Sequence, residues 1–562
     1  MGSFSVHSRE TVADMKAQKK TEEANPTAFR SSHRIHVWQE MLLCLIAMST
    51  SMAVLVHSPQ VKQDLLDFAC LVILLLLSVL CGPHVSASRL YRGGVDQGVL
   101  IGCATVPILL LALLIRSPIH HDVILFHLDL SIGSSLLILV DSLARSNFEE
   151  LNMSSLLLSL VVSFSFHLRF PWMPILLSFL LPVGSLMIIR LLLRGSPQSF
   201  TLGEACILTN VIMSLTVDMI STSLHRLYSI RFPTTREMLD VDLVVVCLVF
   251  GTFLTAVVMS PFVMSREAGK KNNCVHLQAA SSARRSLLFF ALFGTWITCV
   301  LVPSASFLLR KNLLLWVLEH VSASYERLAL LAYWFIVMGL SLKCYPPRHS
   351  SLPRTVIRKG YHVLALLLFC PGQLYQPEML RLAYAAATAL LMSLELIRAS
   401  RIRPLSATLE RVVAVHADER DSGVFILTHI YLLVGCALPS WLTPYQGTLD
   451  NFSILEPLAG ALIVGVGDTA ASVCGKLFGR MRWTRAAGGS KTVEGTAAGI
   501  LATTVACFLL WKLTGSNGSM LRFGMVVLSS VTANLLEAFT EQIDNLVLPM
   551  WYFAMICIAI HV

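Results

Sequence analysis

Windows of roughly twenty mostly apolar residues recur along almost the whole chain, and no other feature restricts its fold as much. A hydrocarbon core about 30 Å thick needs a helix of that length to cross it. Residues 241–263 (VDLVVVCLVFGTFLTAVVMSPFV) and 287–309 are clean examples, and about fifteen such windows can be counted. Only 14% of the 562 residues are charged and the mean hydropathy is +0.69. A soluble domain carries about a quarter charged residues. The expectation is an all-α, polytopic integral membrane protein.

A net charge of +9 raises the question of a nucleic-acid partner. The cations sit in short loops between apolar windows, where they set topology, so no nucleic-acid partner is expected. The fourteen cysteines form no CxxC pair. Most, such as Cys44, Cys70, Cys247 and Cys507, lie inside apolar runs, so neither a disulfide framework nor a zinc site is expected. The first 36 residues mix Glu10, Asp14, Glu22 and Glu23 with Lys16, Lys19 and Lys20. They lack the apolar core of a secretory signal and carry the acids that transit peptides avoid, so the first span is expected to act as an uncleaved anchor. Three regions are expected: a polar cytosolic tail over 1–36, a multi-span membrane region over 37–342, and a membrane catalytic region over 343–562. Intramembrane charge in the second region is sparse, with Asp129, Asp141, Glu204 and Asp218 as its members.

Loop charge sets an orientation. Residues 343–359 carry Lys343, Arg348, Arg354, Arg358 and Lys359 without an acid, and residues 475–491 carry Lys476, Arg480, Arg482, Arg485 and Lys491 without an acid. The loop over 444–453 holds neither Lys nor Arg. Alternating the spans places every strongly basic loop on one side, expected to be the cytosol. The charged stretches 354–362, 398–421, 475–494 and 537–545 fall on that same side.

The stretch with most chemical content is 465–496, GVGDTAASVCGKLFGRMRWTRAAGGSKTVEGT. A helix rich in small residues ends near Asp468, and Gly475 and Gly479 let backbone approach a ligand closely. Ser490, Lys491 and Thr492 then open a new helix, whose free amides and positive dipole end suit phosphate. Asp468 and Glu494, at the mouths of the flanking spans, are placed to hold Mg²⁺ between phosphate oxygens. A positive-inside loop beside small-residue helix packing would explain Arg480 and Arg482 as well as ligand binding does, but not the whole set of Asp468, Gly475, Gly479, Lys491, Glu494 and Gly495. Further on, Glu537 and Asp544 are seven apart, so on one continuous helix they share a face.

The pattern G-D-x-x-A-S-x-x-G-K-x-x-G followed by K-T-x-E-G-T resembles the CTP-binding signature of polyprenol kinases and phosphatidate cytidylyltransferases. Walker-loop and protein-kinase motifs are missing. Residues 535–549 (LLEAFTEQIDNLVLP) are similar to the E…DN…P ending of the kinases, whereas the closing motif of the cytidylyltransferases is absent. Arg358, Lys359 and His362 resemble the kinases' R-K-x-x-H element. Arg403-Pro404-Leu405 resembles an R-x-x-P-L/I-G element, with Ser406 where glycine is usual. Asp418-Glu419-Arg420-Asp421-Ser422-Gly423, with Leu427-Thr428-His429-Ile430-Tyr431, is similar to dolichol kinases in particular.

That resemblance implies transfer of the CTP γ-phosphoryl group to dolichol, in the endoplasmic reticulum membrane, supplying a lipid carrier for protein glycosylation. It implies a nucleotide site of Gly467, Asp468, Ser472, Gly475, Gly479, Lys491, Thr492, Glu494, Gly495, Arg358 and Lys359. Mg²⁺ or a similar cation would be held by Asp468, Glu494, Glu537 and Asp544, and catalysis carried by Asp468, Lys491, His362 and either Asp418 or Asp544 as base. CDP-lipid synthesis, a shorter polyprenol or phytol acceptor, and a transporter are the alternatives.

Overall fold

The computed structural model describes residues 26–55, 61–85, 90–92, 97–116, 121–143, 153–233, 235, 238–268, 275–344, 354–413, 421, 423–443, 454–483, 491–513 and 519–561. The α-helices run in the order α1 (Pro26–Leu55), α2 (Val61–Cys81), α3 (Val99–Arg116), α4 (His121–Leu143), α5 (Met153–Arg169), α6 (Ile175–Gly195) and α7 (Leu202–Tyr228). They continue through α8 (Asp240–Ala268), α9 (Val275–Thr295), α10 (Val302–Leu309), α11 (Leu313–Ser322), α12 (Tyr325–Cys344), α13 (Arg354–Tyr375) and α14 (Pro377–Ala399). The last are α15 (Leu405–Val413), α16 (Thr428–Leu442), α17 (Leu455–Leu462), α18 (Thr469–Phe478), α19 (Val493–Leu513), α20 (Met520–Phe539) and α21 (Asp544–His561).

Thirteen helices among the described residues are long and apolar enough to cross a membrane, and no strand forms among them. The all-α polytopic architecture agrees with the sequence expectation, whose count of about fifteen is approximate. Some apolar helices are shorter than a full crossing: Met153–Arg169, Leu313–Ser322 and Thr428–Leu442 are examples. The last of these, α16, opens at Thr428. At the other end of the chain, α1 starts at Pro26, inside the stretch expected to be a polar tail.

The centre of the bundle is α21. Trp551, Tyr552 and Phe553 are fully buried, as is nearly every residue around them. A helix that is apolar all round belongs inside a bundle, and α21 packs on α3, α16, α17 and α20. One core therefore joins helices on both sides of the basic linker: Ile101 and Ala104 of α3 share it with Trp551 and Met555 of α21.

Ion pairs show which helix ends meet. At one end Lys359 reaches Asp468 and Lys491 reaches Glu537. At the opposite end Arg116 of α3 lies 2.7 Å from Glu456 of α17, and His561 of α21 lies 3.5 Å from the same carboxylate. The four intramembrane acids singled out in the first half each have a basic partner: Asp129 with Arg169 (2.9 Å), Asp141 with Arg190 (2.9 Å), Asp218 with His127 (3.1 Å), and Glu204 with Arg92. Pairing is what makes charge tolerable in a medium without water.

Candidate functional site

Residues 463–468 wind as one π-helical turn between α17 and α18, and Asp468 ends it. Such a turn adds a residue to the helix and re-aims the side chains beside it, and it recurs at functional sites. Here it turns the Asp468 carboxylate toward α13. Lys359 and His362 are three apart on that helix, so they share a face. Lys359 Nζ lies 2.5 Å from Asp468 Oδ2, and His362 Nδ1 lies 3.2 Å from the same oxygen. His362 Nδ1 is also 3.3 Å from the Val464 carbonyl, which can only accept, so this nitrogen carries a proton. Ser472, one turn on, donates to Asp468 Oδ1 at 3.4 Å. Asp468 is 3% exposed and His362 4%. The side chain of Arg358 lies outside the described residues.

Lys491 is presented by a short antiparallel pairing that follows α18. Arg482 and Thr492 form a bridge, with Trp483 N donating to the Lys491 carbonyl (3.1 Å) and Val493 N to the Met481 carbonyl (2.8 Å). Trp483 is anchored in turn, its indole N–H donating to Thr496 Oγ1 at 3.1 Å and its ring meeting Phe539 edge-on. Lys491 Nζ then reaches Glu537 Oε1 at 2.6 Å and Asp544 Oδ2 at 4.0 Å. Burial alone would lower the Lys491 pKa; Glu537, Asp544 and Asp468 more than reverse that and hold the ammonium above its ordinary range. The influence of Asp468 on Lys491 makes the two groups of charges one electrostatic cluster, contributed by α13, the α17–α18 span, residue 491, α20 and α21.

Glu537 and Asp544 do not share a helix face. α20 ends at Phe539, α21 starts at Asp544, and a buried turn over 540–543 folds one end against the other. They meet because the chain reverses, which corrects the heptad argument.

Other sequence candidates have structural partners. A Cβ at Gly475 would lie 2.8 Å from Thr492 Oγ1, and one at Gly495 would lie 2.6 Å from the Ala471 carbonyl and 3.0 Å from Gly475 Cα. One at Gly479 would sit 2.7 Å from Thr492 Cγ2, and one at Gly467 would sit 2.7 Å from Thr503 Oγ1. In this structure the glycines bring α18, its following loop and α19 together. Glu494 accepts from Met481 N at 2.9 Å and braces the same loop, away from the Lys491 cluster. Thr492 Oγ1 accepts from Gly495 N at 3.2 Å. With Val493 N also engaged, two amides at the start of α19 are already bonded within the protein. Asp418 lies outside the described residues. Its neighbour Asp421 accepts from Leu427 N (3.3 Å) and Thr428 Oγ1 (2.7 Å), tying down the start of α16.

Two buried pairs at this end were not foreseen. Glu395 and Arg398 of α14 pair at 2.6 Å, with Glu395 accepting from Ile426 N and Arg398 donating to the Val424 carbonyl. The other is Arg92 with Glu204. Glu204 had a visible signal: Thr201-x-x-Glu204 before an apolar run spells a capping box, and both of its hydrogen bonds form.

Among the described residues no three His, Cys, Asp or Glu side chains converge closely enough to form a metal site by themselves. The carboxylates at this end are nevertheless hard oxygen ligands. Mg²⁺ is commonly held by one or two carboxylates, with phosphate oxygens and water completing its shell, so the donor set fits that ion with a nucleotide present.

A family model described as dolichol kinase matches residues 173–510. Dolichol kinase EVAN of Arabidopsis thaliana is 33% identical over 391 residues, which are 67% of this chain and 68% of the relative. Dolichol kinase of Homo sapiens is 34% identical over 379 residues, 64% of this chain and 65% of the relative. Dolichol kinase sec59 of Schizosaccharomyces pombe is 29% identical over 246 residues, 41% and 47% of the respective chains. The matched stretches thus span about two thirds of the plant and human relatives and about half of the yeast one. No solved structure matches the chain.

Proposed function

The chain belongs to the dolichol kinase family, and on that premise we propose that it transfers the terminal phosphoryl group of CTP to dolichol, forming dolichyl phosphate and CDP. The observation that carries this reading is the meeting of Lys359, His362, Asp468, Lys491, Glu537 and Asp544 at one end of the bundle. Phosphoryl transfer asks for charge neutralisation and in-line placement more than for covalent chemistry.

Lys491 and Lys359 supply positive charge to the phosphate chain. Each is held by carboxylates, so each is fixed in place before a nucleotide arrives. The dolichol oxygen attacks the γ-phosphorus, the bond from that phosphorus to the β–γ bridging oxygen breaks, and CDP leaves. The proton of the alcohol passes to a carboxylate, for which Asp544, 20% exposed at the open side of the cluster, is the candidate. Asp468 would hold Mg²⁺, which when bound would neutralise phosphate oxygens. His362, with Nδ1 protonated, orients Asp468.

The proposed donor and compartment are supported by the resemblance of residues 465–496 and by the family. CTP is proposed over other nucleotides, the endoplasmic reticulum over other membranes, and the cytosol as the side facing the cluster. A supply of lipid carrier for protein glycosylation is the proposed role. Dolichol is long and apolar, so its hydroxyl would meet the nucleotide at a membrane face, and the position of the cluster at one end of the bundle suits that meeting. Purified protein given CTP and dolichol should place γ-label in the lipid. Transfer of α-label would mean CDP-lipid synthesis, and no transfer of either would remove the kinase reading.

A further inference from the structure

The turn over 540–543, which separates Glu537 from Asp544, is held by groups from the first half of the chain. Thr201 Oγ1 donates to Gln542 Oε1 at 2.5 Å, and Glu204 Oε1 accepts from Ile543 N at 3.3 Å. Both side chains of this grip belong to the capping box that starts α7. Arg92 pairs with the same Glu204 oxygen, while its backbone N–H donates to the Phe200 carbonyl at 2.8 Å. Thr201 is 4% exposed, Glu204 0%, Arg92 5% and Gln542 1%.

The fit is close. Gly98 has φ +65°, where a side chain is strained, and a Cβ there would overlap the Gln542 amide at 2.1 Å. A Cβ on Gly203 would lie 2.1 Å from the Gly98 carbonyl. Two strands of backbone and the Gln542 side chain therefore touch with no room to spare.

A buried Arg–Glu pair is costly to desolvate, and apolar residues of the same volume often serve stability better. The Arg92–Glu204 pair also offers an acceptor to a backbone amide one residue from Asp544. From this geometry we infer that Thr201, Glu204 and Arg92 are positioning residues for phosphoryl transfer: they set the turn that carries Asp544 to Lys491. The inference rests on the proposed kinase function and gives the first spans a part in it. None of the three touches the nucleotide or the alcohol; they act through Gln542 and Ile543.

The test compares wild type, Thr201→Val, Thr201→Ser, Gln542→Leu and the Thr201→Val/Gln542→Leu double variant, each purified in lipid discs, with kcat, KM for CTP and thermal midpoint measured. Thr201→Val and Gln542→Leu should each lower kcat about 10- to 100-fold, the scale of a 1 Å misplacement of a reacting group. KM for CTP should stay within about twofold, Thr201→Ser should restore kcat, and the double variant should be no worse than the single ones. Glu204→Asp keeps the charge for Arg92 but draws the carboxylate back from Ile543; it should repeat the kcat loss even if Thr201→Val proves too unstable to purify. Wild-type kcat in the folded variants, or losses that multiply in the double variant, would overturn the positioning role. A wild type that transfers no phosphoryl group from CTP would instead overturn the proposed function.

Discussion

Lys491 and Glu537 are 46 residues apart in the chain, and their charged groups lie 2.6 Å apart, one just before α19 and the other near the end of α20. Glu537 is 3% exposed, so its carboxylate depends on that ammonium. Removing one partner of a buried pair leaves a charge with no compensation, at a cost of about 3–5 kcal/mol. Lys491→Met should lower the thermal midpoint and abolish phosphorylation. Adding Glu537→Gln should restore most of the midpoint and none of the activity. Recovery of activity in the double variant would mean that the ammonium only neutralises Glu537.

Asp468→Asn keeps the shape of the side chain and removes the anion that Lys359 and His362 both face. Phosphorylation should fall by about 10²-fold or more, as for other losses of preorganised charge. The protein should still reach the membrane in normal amount. Activity near wild type would take Asp468 out of the chemistry.

The raised pKa of Lys491 has a definite consequence for pH. Its charge-linked stability is whole below about pH 10.4, where the unfolded lysine is still protonated, and fades only as pH climbs through the higher folded value. No loss of stability or rate from this group should appear between about pH 6 and pH 9. Lys491→Arg cannot titrate in that range. Its pH–rate curve, however low, should therefore have the same alkaline limb as wild type; disappearance of that limb would show that Lys491 titrates there.

Gly495→Ala places a Cβ 2.6 Å from the Ala471 carbonyl and 3.0 Å from Gly475 Cα, so α18 and α19 must part. Lys491 lies one residue before the Thr492 that caps this helix. The expected result is at least about a tenfold loss of kcat with protein still in the membrane. Gly524→Ala, where an added Cβ meets nothing within 4 Å, is the matched control and should change neither property.

The opposite end of the bundle gives a second contrast. Arg116 is within 2.7 Å of Glu456, which is 1% exposed, far from the Lys491 cluster. Arg116→Met should cost stability on the same scale as Lys491→Met, about 3 kcal/mol at least. In protein that remains folded, KM for CTP should match wild type. A changed KM would mean that this end communicates with the nucleotide site.

The helical architecture was legible because lipid leaves only one economical answer for apolar windows of that length. Asp468, Lys359, His362, Lys491 and Glu537 were legible through motif likeness, since each sits in a short local pattern. Which of them touch was less so. Glu537 and Asp544 looked like neighbours on one helix, and only a turn stabilised by Thr201 and Glu204, over 300 residues earlier in the chain, explains how they meet. Local spacing carries no record of such partners. The glycines of 465–496 were read as room for a ligand; their close contacts with Thr492, Ala471 and Thr503 depend on how α18 and α19 pack, which composition alone does not reveal. Glu494 looked like a metal ligand by position and proves to hold the Met481 amide.

The helix at the middle of this bundle, Asp544–His561, follows in the sequence the helices it packs against. Without that helix its neighbours would face a slot along Ile101, Ala104 and Leu458, lined by apolar side chains. Because Asp544 stands at the head of that same helix, the filling of the bundle's centre and the placing of Asp544 4.0 Å from Lys491 are one structural arrangement, and a change that shifts the central helix shifts both.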